Sequence, residues 1–186
     1  NYIERIFSLE SVGCKDWLTN KVDRCVGGKV AKQQCVGELQ LPLNNCGVMA
    51  LDYSTKNGVA TSIGHSPVSA LIDPNAGSKN SIAEALTNII WAPIENGLKG
   101  VSLSANWMWP CKNEGEDARL YRAVESVSKF AIELGINIPT GKDSLSMNQK
   151  YENIEVKSPG TVIVSATAHC NNCLLYTSPS PRDVCS

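Results

Sequence analysis

Histidine occurs only twice in these 186 residues, and neither sign of charge is in surplus. His65 lies in a Gly-His-Ser-Pro turn and His169 follows an apolar run, and neither belongs to a GxSxG or comparable signature. A self-contained Ser-His-Asp or Cys-His centre is therefore not expected. With 17 Lys and Arg against 18 Asp and Glu the net charge is −1 at pH 7, whereas a nucleic-acid-binding domain concentrates a basic surplus on one face. No nucleic-acid partner is expected. No apolar run approaches the ~18–20 residues that cross a bilayer, which excludes a membrane-spanning helix. A charged stretch followed by an apolar one is also missing from the start, so nothing suggests secretion and the expected compartment is the cytoplasm.

What is present is a core-forming composition, 42% hydrophobic with 14 Gly and 9 Pro. Eight cysteines stand at 14, 25, 35, 46, 111, 170, 173 and 185, without the dense pairing of a disulfide scaffold, and read mostly as reduced thiols. The one CxxC, Cys170 to Cys173, follows His169. A structural zinc site would need further ligands that no nearby segment supplies. A small metalloprotein built on His169, Cys170 and Cys173 remains an alternative.

Apolar periodicity alternates between strand and helix. Residues 46–52 (CGVMALD) and 58–63 (GVATSI) are short apolar-rich runs, and Asn57-Gly58 between them offers the positive φ of a tight β-hairpin. From Ser78 to Asn96, Ile82, Ala83, Leu86, Ile89, Ile90 and Trp91 recur at helical spacing, with Ser78 or Ser81 as N-cap and Gly97 past the end. Val101 to Ser104 predicts a strand. Glu116 to Leu134 predicts a helix with Leu120, Val124, Val127, Ala131 and Leu134 on one stripe, closed by Gly135. Thr161 to Ala168 (TVIVSATA) is a continuous β-branched run, as for a strand buried on both faces. The order β-β-α-β-α-β implies an α/β (α+β) domain with helices covering one face of a sheet. Residues 1–40 read as a linker and lead-in, 41–172 as the folded unit. The last stretch, 173–186 (CLLYTSPSPRDVCS), reads as a disordered, non-native tail resembling translated adaptor sequence.

Glu84 and Asn88, four residues apart in AEALTN, stack two oxygen-bearing side chains on one helix face. A hard cation such as Mg²⁺ takes such oxygen ligands together with phosphate and water. By spacing alone the pair fits a solvated helix face at least as well, since Glu and Asn are mostly exposed. The stretch 141–147 (GKDSLSM) could form a turn whose backbone N–H groups, with Lys142 and Ser144, face a phosphate, although Ile136 stands where a Walker loop needs glycine. A plain turn with an exposed Lys is equally consistent. Gly27 and Gly28 in CVGGK permit close backbone approach or merely bend the chain. Trp107 and Trp109 read as core or interface anchors rather than a stacking platform.

Taken together, KVDR (21–24), VAKQQCVG (30–37), LIDP (71–74), AEALTN (83–88), SANWM (104–108) and GKDSLSM (141–147), in this order, resemble phosphoribosylformylglycinamidine synthase. The resemblance runs over roughly residues 9 to 170. It implies an interior piece from the second of two pseudo-symmetric halves of the synthetase region, with a fold similar to the N-terminal domain of aminoimidazole ribonucleotide synthetase. It implies purine biosynthesis, in which formylglycinamide ribonucleotide becomes formylglycinamidine ribonucleotide. ATP phosphorylates the amide oxygen, and ammonia from a glutaminase displaces the phosphate.

The implied cofactors are ATP or ADP and Mg²⁺. Matched position by position, Glu84 and Asn88 correspond to magnesium ligands and Lys15 to a nucleotide-contacting lysine. Asn45 stands where the family usually has an aspartate ligand, which keeps a carbonyl oxygen but loses the charge and predicts weaker metal binding there. No catalytic residue is expected within the piece, which alone should be inactive. Its expected partners are the nucleotide, the remaining synthetase subdomains and the glutaminase domain of the same chain. The alternative is a structural scaffold subdomain without bound nucleotide.

Overall fold

The computed structural model describes residues 1–9, 12–13, 30–32, 45–52 and 54–171. Among them the elements in chain order are α1 (Tyr2–Phe7), β1 (Val30–Lys32), β2 (Cys46–Ala50), β3 (Asn57–His65), α2 (Pro67–Ile72), α3 (Pro74–Ile89), β4 (Val101–Met108), α4 (Glu116–Leu134), β5 (Asn137–Ser144), β6 (Asn148–Tyr151), β7 (Ile154–Lys157) and β8 (Thr161–Asn171). A 3-10 turn at Gly97–Gly100 leads into β4. No helix among the described residues is long and apolar enough to cross a membrane.

Six strands form one sheet in the order β1-β2-β3-β8-β4-β5. Every neighbouring pair is antiparallel except β4–β5. A parallel pair needs a crossover of a dozen residues or more, and α4 supplies it. The core lies between one sheet face and the helices: Ile82, Ala85, Leu86 and Ile89 of α3 pack with Val48, Leu103, Val162 and Val164 from the strands. The helices cover one face, as the order of elements implied. The fold is mixed α/β.

Several local expectations are corrected. Asn57-Gly58 is not the turn: both residues lie inside β3, and neither has positive φ. The connection is closed by Asp52, whose carboxylate accepts from the Ser54 N–H at 2.7 Å and from the hydroxyls of Ser54 and Thr55 at 3.0 and 2.6 Å. An aspartate that reproduces a turn with its own side chain removes the need for a left-handed residue.

The first long helix begins a turn earlier than its apolar stripe, because Asp73 caps it through the Asn75 N–H at 2.9 Å and Pro74 occupies its first position. Ser78 and Ser81, read as caps, are buried within it. It ends at Ile89, which leaves Ile90 and Trp91 exposed. The strand read at 101–104 runs on to Met108. The run at 161–168 extends to Asn171, and from Ile163 onward its burial alternates, so one face of β8 is open rather than both being covered. The stretch 141–147 is no phosphate-facing turn at its start, since 141–144 complete β5. Helix α4 has the bounds read from its stripe, with Gly135 left-handed at φ 68°.

Candidate functional site

The seam between β3 and α3 is held at successive residues. Ser62 Oγ donates to the Ala85 carbonyl at 2.6 Å within the core. At Gly64 the strand passes so close to the helix that a Cβ would overlap the Ser81 carbonyl oxygen and the Ala85 nitrogen. This approach lets the exposed side of α3 reach the end of the strand. Glu84 Oε2 accepts the backbone N–H of His65 at 2.6 Å. Asn88 Nδ2 donates to the Ile63 carbonyl at 3.1 Å. The two side chains that one helical turn aligns therefore meet the same three residues of β3.

These contacts leave the groups a cation would use. The Ile63 carbonyl can only accept, so Asn88 presents its NH₂ to the strand, and Oδ1 is directed away from that bond. Glu84 uses one oxygen on His65, while Oε1 takes no hydrogen bond from the described residues. Glu84 is exposed and Asn88 half-buried, so both face water rather than hydrocarbon. Asn45, also exposed, sits one step beyond Cys46, which pairs with Ser62; the same register continued places Asn45 across from Ile63. Glu84 and Asn88 thus bring one carboxylate and one amide oxygen to one strand end, hard donors of the kind Mg²⁺ takes, whereas Asn45, across from Ile63, shares the sheet face that Ile63 exposes, opposite the helix.

Lys15 lies outside the described residues, as do Gly27 and Gly28. SANWM and GKDS are brought side by side, Asn106 opposite Lys142 and Trp107 opposite Asp143 in the parallel β4–β5 pair. Lys142 Nζ turns to its own neighbours, Ser144 Oγ at 2.9 Å and the Asp143 carbonyl at 3.1 Å. β8 separates β4 from β3, so this pair of motifs is not contiguous with Glu84 and Asn88 in the sheet. Grooves of 410 Å³ beside α4 and 430 Å³ along β5 are lined by neither Glu84, Asn88 nor Asn45.

The zinc alternative fails on strand geometry. His169 is exposed and Cys170 buried at consecutive positions of β8, so they point to opposite faces and cannot share an ion. Cys173 lies outside the described residues, among which no three His, Cys, Asp or Glu cluster as a metal site.

Residue-by-residue reading also overlooked a polar chain behind the site. Trp109, fully buried, donates from Nε1 to Glu116 Oε2 at 2.8 Å. Glu116 Oε1 lies 3.4 Å from Arg119 Nε. Arg119 Nη2 reaches the carbonyls of Ala70 and Leu71 at 2.6 and 3.0 Å. The Glu116–Arg119 spacing of three is the only part of it visible in sequence.

Comparison with known proteins places these observations in a family. A profile described as the FGAR-AT PurM_N-like domain matches residues 14–169. Phosphoribosylformylglycinamidine synthase of Drosophila melanogaster is 45% identical over 177 residues, 95% of this chain and 13% of that protein. The probable enzyme of Caenorhabditis elegans is 46% identical over 182 residues, covering 98% and 14%. The human enzyme is 43% identical, covering 95% and 13%. The chain thus spans 13–14% of these curated relatives. Among solved structures, PurLQS from Thermotoga maritima aligns with a TM-score of 0.62 at 16% identity, over 89% of this chain and 25% of that one. Thermotoga maritima PurL complexed with ADP aligns with the same score and identity over 91% and 25%. At that identity the likeness is one of fold.

Proposed function

Because the chain belongs to the FGAR-AT PurM_N-like domain family, we propose that it is one domain of a cytoplasmic phosphoribosylformylglycinamidine synthase and contributes a Mg²⁺–nucleotide site to it. The whole enzyme would convert formylglycinamide ribonucleotide to formylglycinamidine ribonucleotide with ATP and glutamine-derived ammonia. The remaining synthetase subdomains and the glutaminase would complete it. The observation that carries the site is the convergence of Glu84 and Asn88 on Ile63–His65. Bound Mg²⁺ would offset the negative charge of a nucleotide's phosphates.

This chain's residues have simpler tasks. Glu84 supplies the one full negative charge, Asn88 a carbonyl oxygen aimed by its bond to the strand, and Asn45 a neutral oxygen. Lys15 is the proposed nucleotide contact, and the nucleotide is ADP or ATP, as in the Thermotoga maritima complex with ADP. No residue of this chain is proposed as catalytic.

The test is the nucleotide content of the purified full-length protein, read by mass spectrometry, with Mg²⁺ present and after chelation. Glu84→Gln should lose retained nucleotide, since Gln can still accept from the His65 N–H but brings no charge. Asn45→Asp should retain it at lower Mg²⁺, by about tenfold if the added carboxylate coordinates. A second reading has an observation of its own: Glu84 and Asn88 each bond to β3 backbone and so fasten helix to strand, which a scaffold subdomain without nucleotide would also need. In that case Glu84→Gln leaves nucleotide content unchanged, and Glu84→Ala lowers only the unfolding temperature.

A further inference from the structure

The stripe of α3 that carries Glu84 and Asn88 does not end with them. Positions 84, 88 and 91 follow one another at intervals of four and three, the spacing that stacks side chains on one helix face. α3 stops at Ile89, but the chain keeps its turn past that point: the Ile90 N–H donates to the Leu86 carbonyl at 3.2 Å and the Ala92 N–H to the Ile89 carbonyl at 3.0 Å. Trp91 therefore stays in line with the two oxygen-bearing side chains. It is 72% exposed, whereas Ile89 and Ala92 on either side of it are buried.

The backbone under this indole is fixed. Beyond Ala92, Ile94 bridges to Cys170 of β8, and the Asn171 N–H donates to the Pro93 carbonyl at 3.2 Å. A large flat ring held at its base and open to solvent is a preorganised stacking surface, because an aromatic side chain has few rotatable bonds left to order when a ligand arrives. One turn before Glu84 the stripe carries Asn80 instead, exposed and polar. Along one helix face the order is thus amide, carboxylate, amide, indole. At 1.5 Å per residue, positions 84 and 91 lie about 10 Å apart along the axis. That separation is comparable with the reach of an extended nucleoside diphosphate from its terminal phosphate to its base.

We propose that Trp91 is the base platform of the candidate nucleotide site: the purine of ADP stacks on its indole while Glu84 and Asn88 hold Mg²⁺ on the diphosphate. This rests on the proposed reading of that site. The polar end of the stripe takes the charged end of the ligand and the aromatic end takes its π-face. Stacking of this kind does not depend on which base is present, so the platform serves retention of a nucleotide rather than choice of base.

The experiment is calorimetric titration of the full-length protein carrying this chain, freed of nucleotide, with ADP and separately with pyrophosphate, each with Mg²⁺ present. The component of binding abolished by Glu84→Gln defines the site. Within it, Trp91→Ala should weaken ADP about tenfold, as expected for the loss of one base–aromatic stack. Pyrophosphate, which brings the same oxygens without a base, should bind unchanged. Trp91→Phe should recover part of the ADP affinity. If Trp91→Ala binds ADP as the wild type does while Glu84→Gln does not, the site stands and the platform is overturned. Equal weakening of ADP and pyrophosphate also overturns it, since the indole then acts on the fold, as it would if another part of the enzyme packed on it. Should Trp91→Ala fail to fold, the wild-type protein is irradiated with 2-azido-ADP and Mg²⁺: the peptide containing Trp91 should carry the label, and its absence from that peptide overturns the proposal. A Glu84→Gln protein that binds both ligands like the wild type overturns the site reading itself and this inference with it.

Discussion

Gly64 shows how much of the site depends on a missing side chain. Its Cβ would meet the Ser81 carbonyl oxygen and the Ala85 nitrogen, backbone atoms of a helix that cannot yield locally, with Glu84 Cβ at 3.0 Å. Gly64→Ala must therefore push β3 away from α3. Overpacking costs typically about 1–3 kcal/mol, and a collision with backbone belongs at the upper end. The same displacement lengthens the Glu84–His65 bond. Gly47, on the neighbouring strand, is the control: a Cβ there meets nothing closer than Thr61 Oγ1 at 3.4 Å, an ordinary contact. Urea unfolding of the 186-residue chain should show Gly64→Ala destabilised by about 3 kcal/mol. Gly47→Ala should lie within about 0.5 kcal/mol of wild type. Equal effects would mean that the close approach of strand and helix is not what the residue provides.

At the scale of elements, the β2–β3 hairpin carries a pH signature. Thr55, through its hydroxyl and then its N–H, followed by the Ser54 N–H, holds the Asp52 carboxyl well below the usual carboxylate range. A carboxyl lowered by folding contributes stability above its unfolded value of ~3.9, and that contribution fades as the pH falls towards the folded value. Asp52→Asn should unfold at a lower temperature than wild type at pH 7. The gap should close progressively below about pH 4, where the unfolded chain takes up a proton that the folded carboxyl still resists. A gap independent of pH between 7 and 3 would show that the turn does not depend on the charge.

The hairpin also illustrates what the sequence concealed. Asn57-Gly58 is a strong local turn signal, but a side chain able to close the turn three residues earlier is stronger. α4 was legible to the residue because its apolar stripe and terminal glycine agree. α3 was legible only from Ile82 onward, since its first turns pack through Gly77, Ser78 and Ser81, which carry no hydrophobic signal. β5 (NIPTGKDS) shows neither alternation nor an apolar run. It becomes a strand because α4 delivers it beside β4, at an edge where Pro139 is tolerated. The i,i+4 pair of the site was visible. What the pair touches was not, because Ile63 and His65 stand 25 and 19 residues away in the chain.

At the scale of the whole molecule, the described residues cover the sheet on one face only, and β5 forms one of the edges among them. Beside that edge, Val124 and Ile132 of α4 are 43% and 75% exposed and line a groove of 410 Å³ with Trp107 and Ile138. Apolar surface next to an unpaired strand edge favours association. The chain spans only 13% of the human enzyme it is similar to. The 186-residue chain should therefore self-associate in sedimentation velocity at tens of micromolar. Val124→Ser combined with Ile132→Lys should shift it towards monomer, because the lysine places a charge where a second copy would bury hydrocarbon. Both positions are substantially exposed, so the change in folding stability should stay within about 0.5 kcal/mol for each. If the double variant associates as the wild type does, the contact lies elsewhere, and Ile63→Lys on the open face, 56% exposed, becomes the variant that should disperse it. Association that survives both would mean that neither the α4 groove nor the open sheet face drives it.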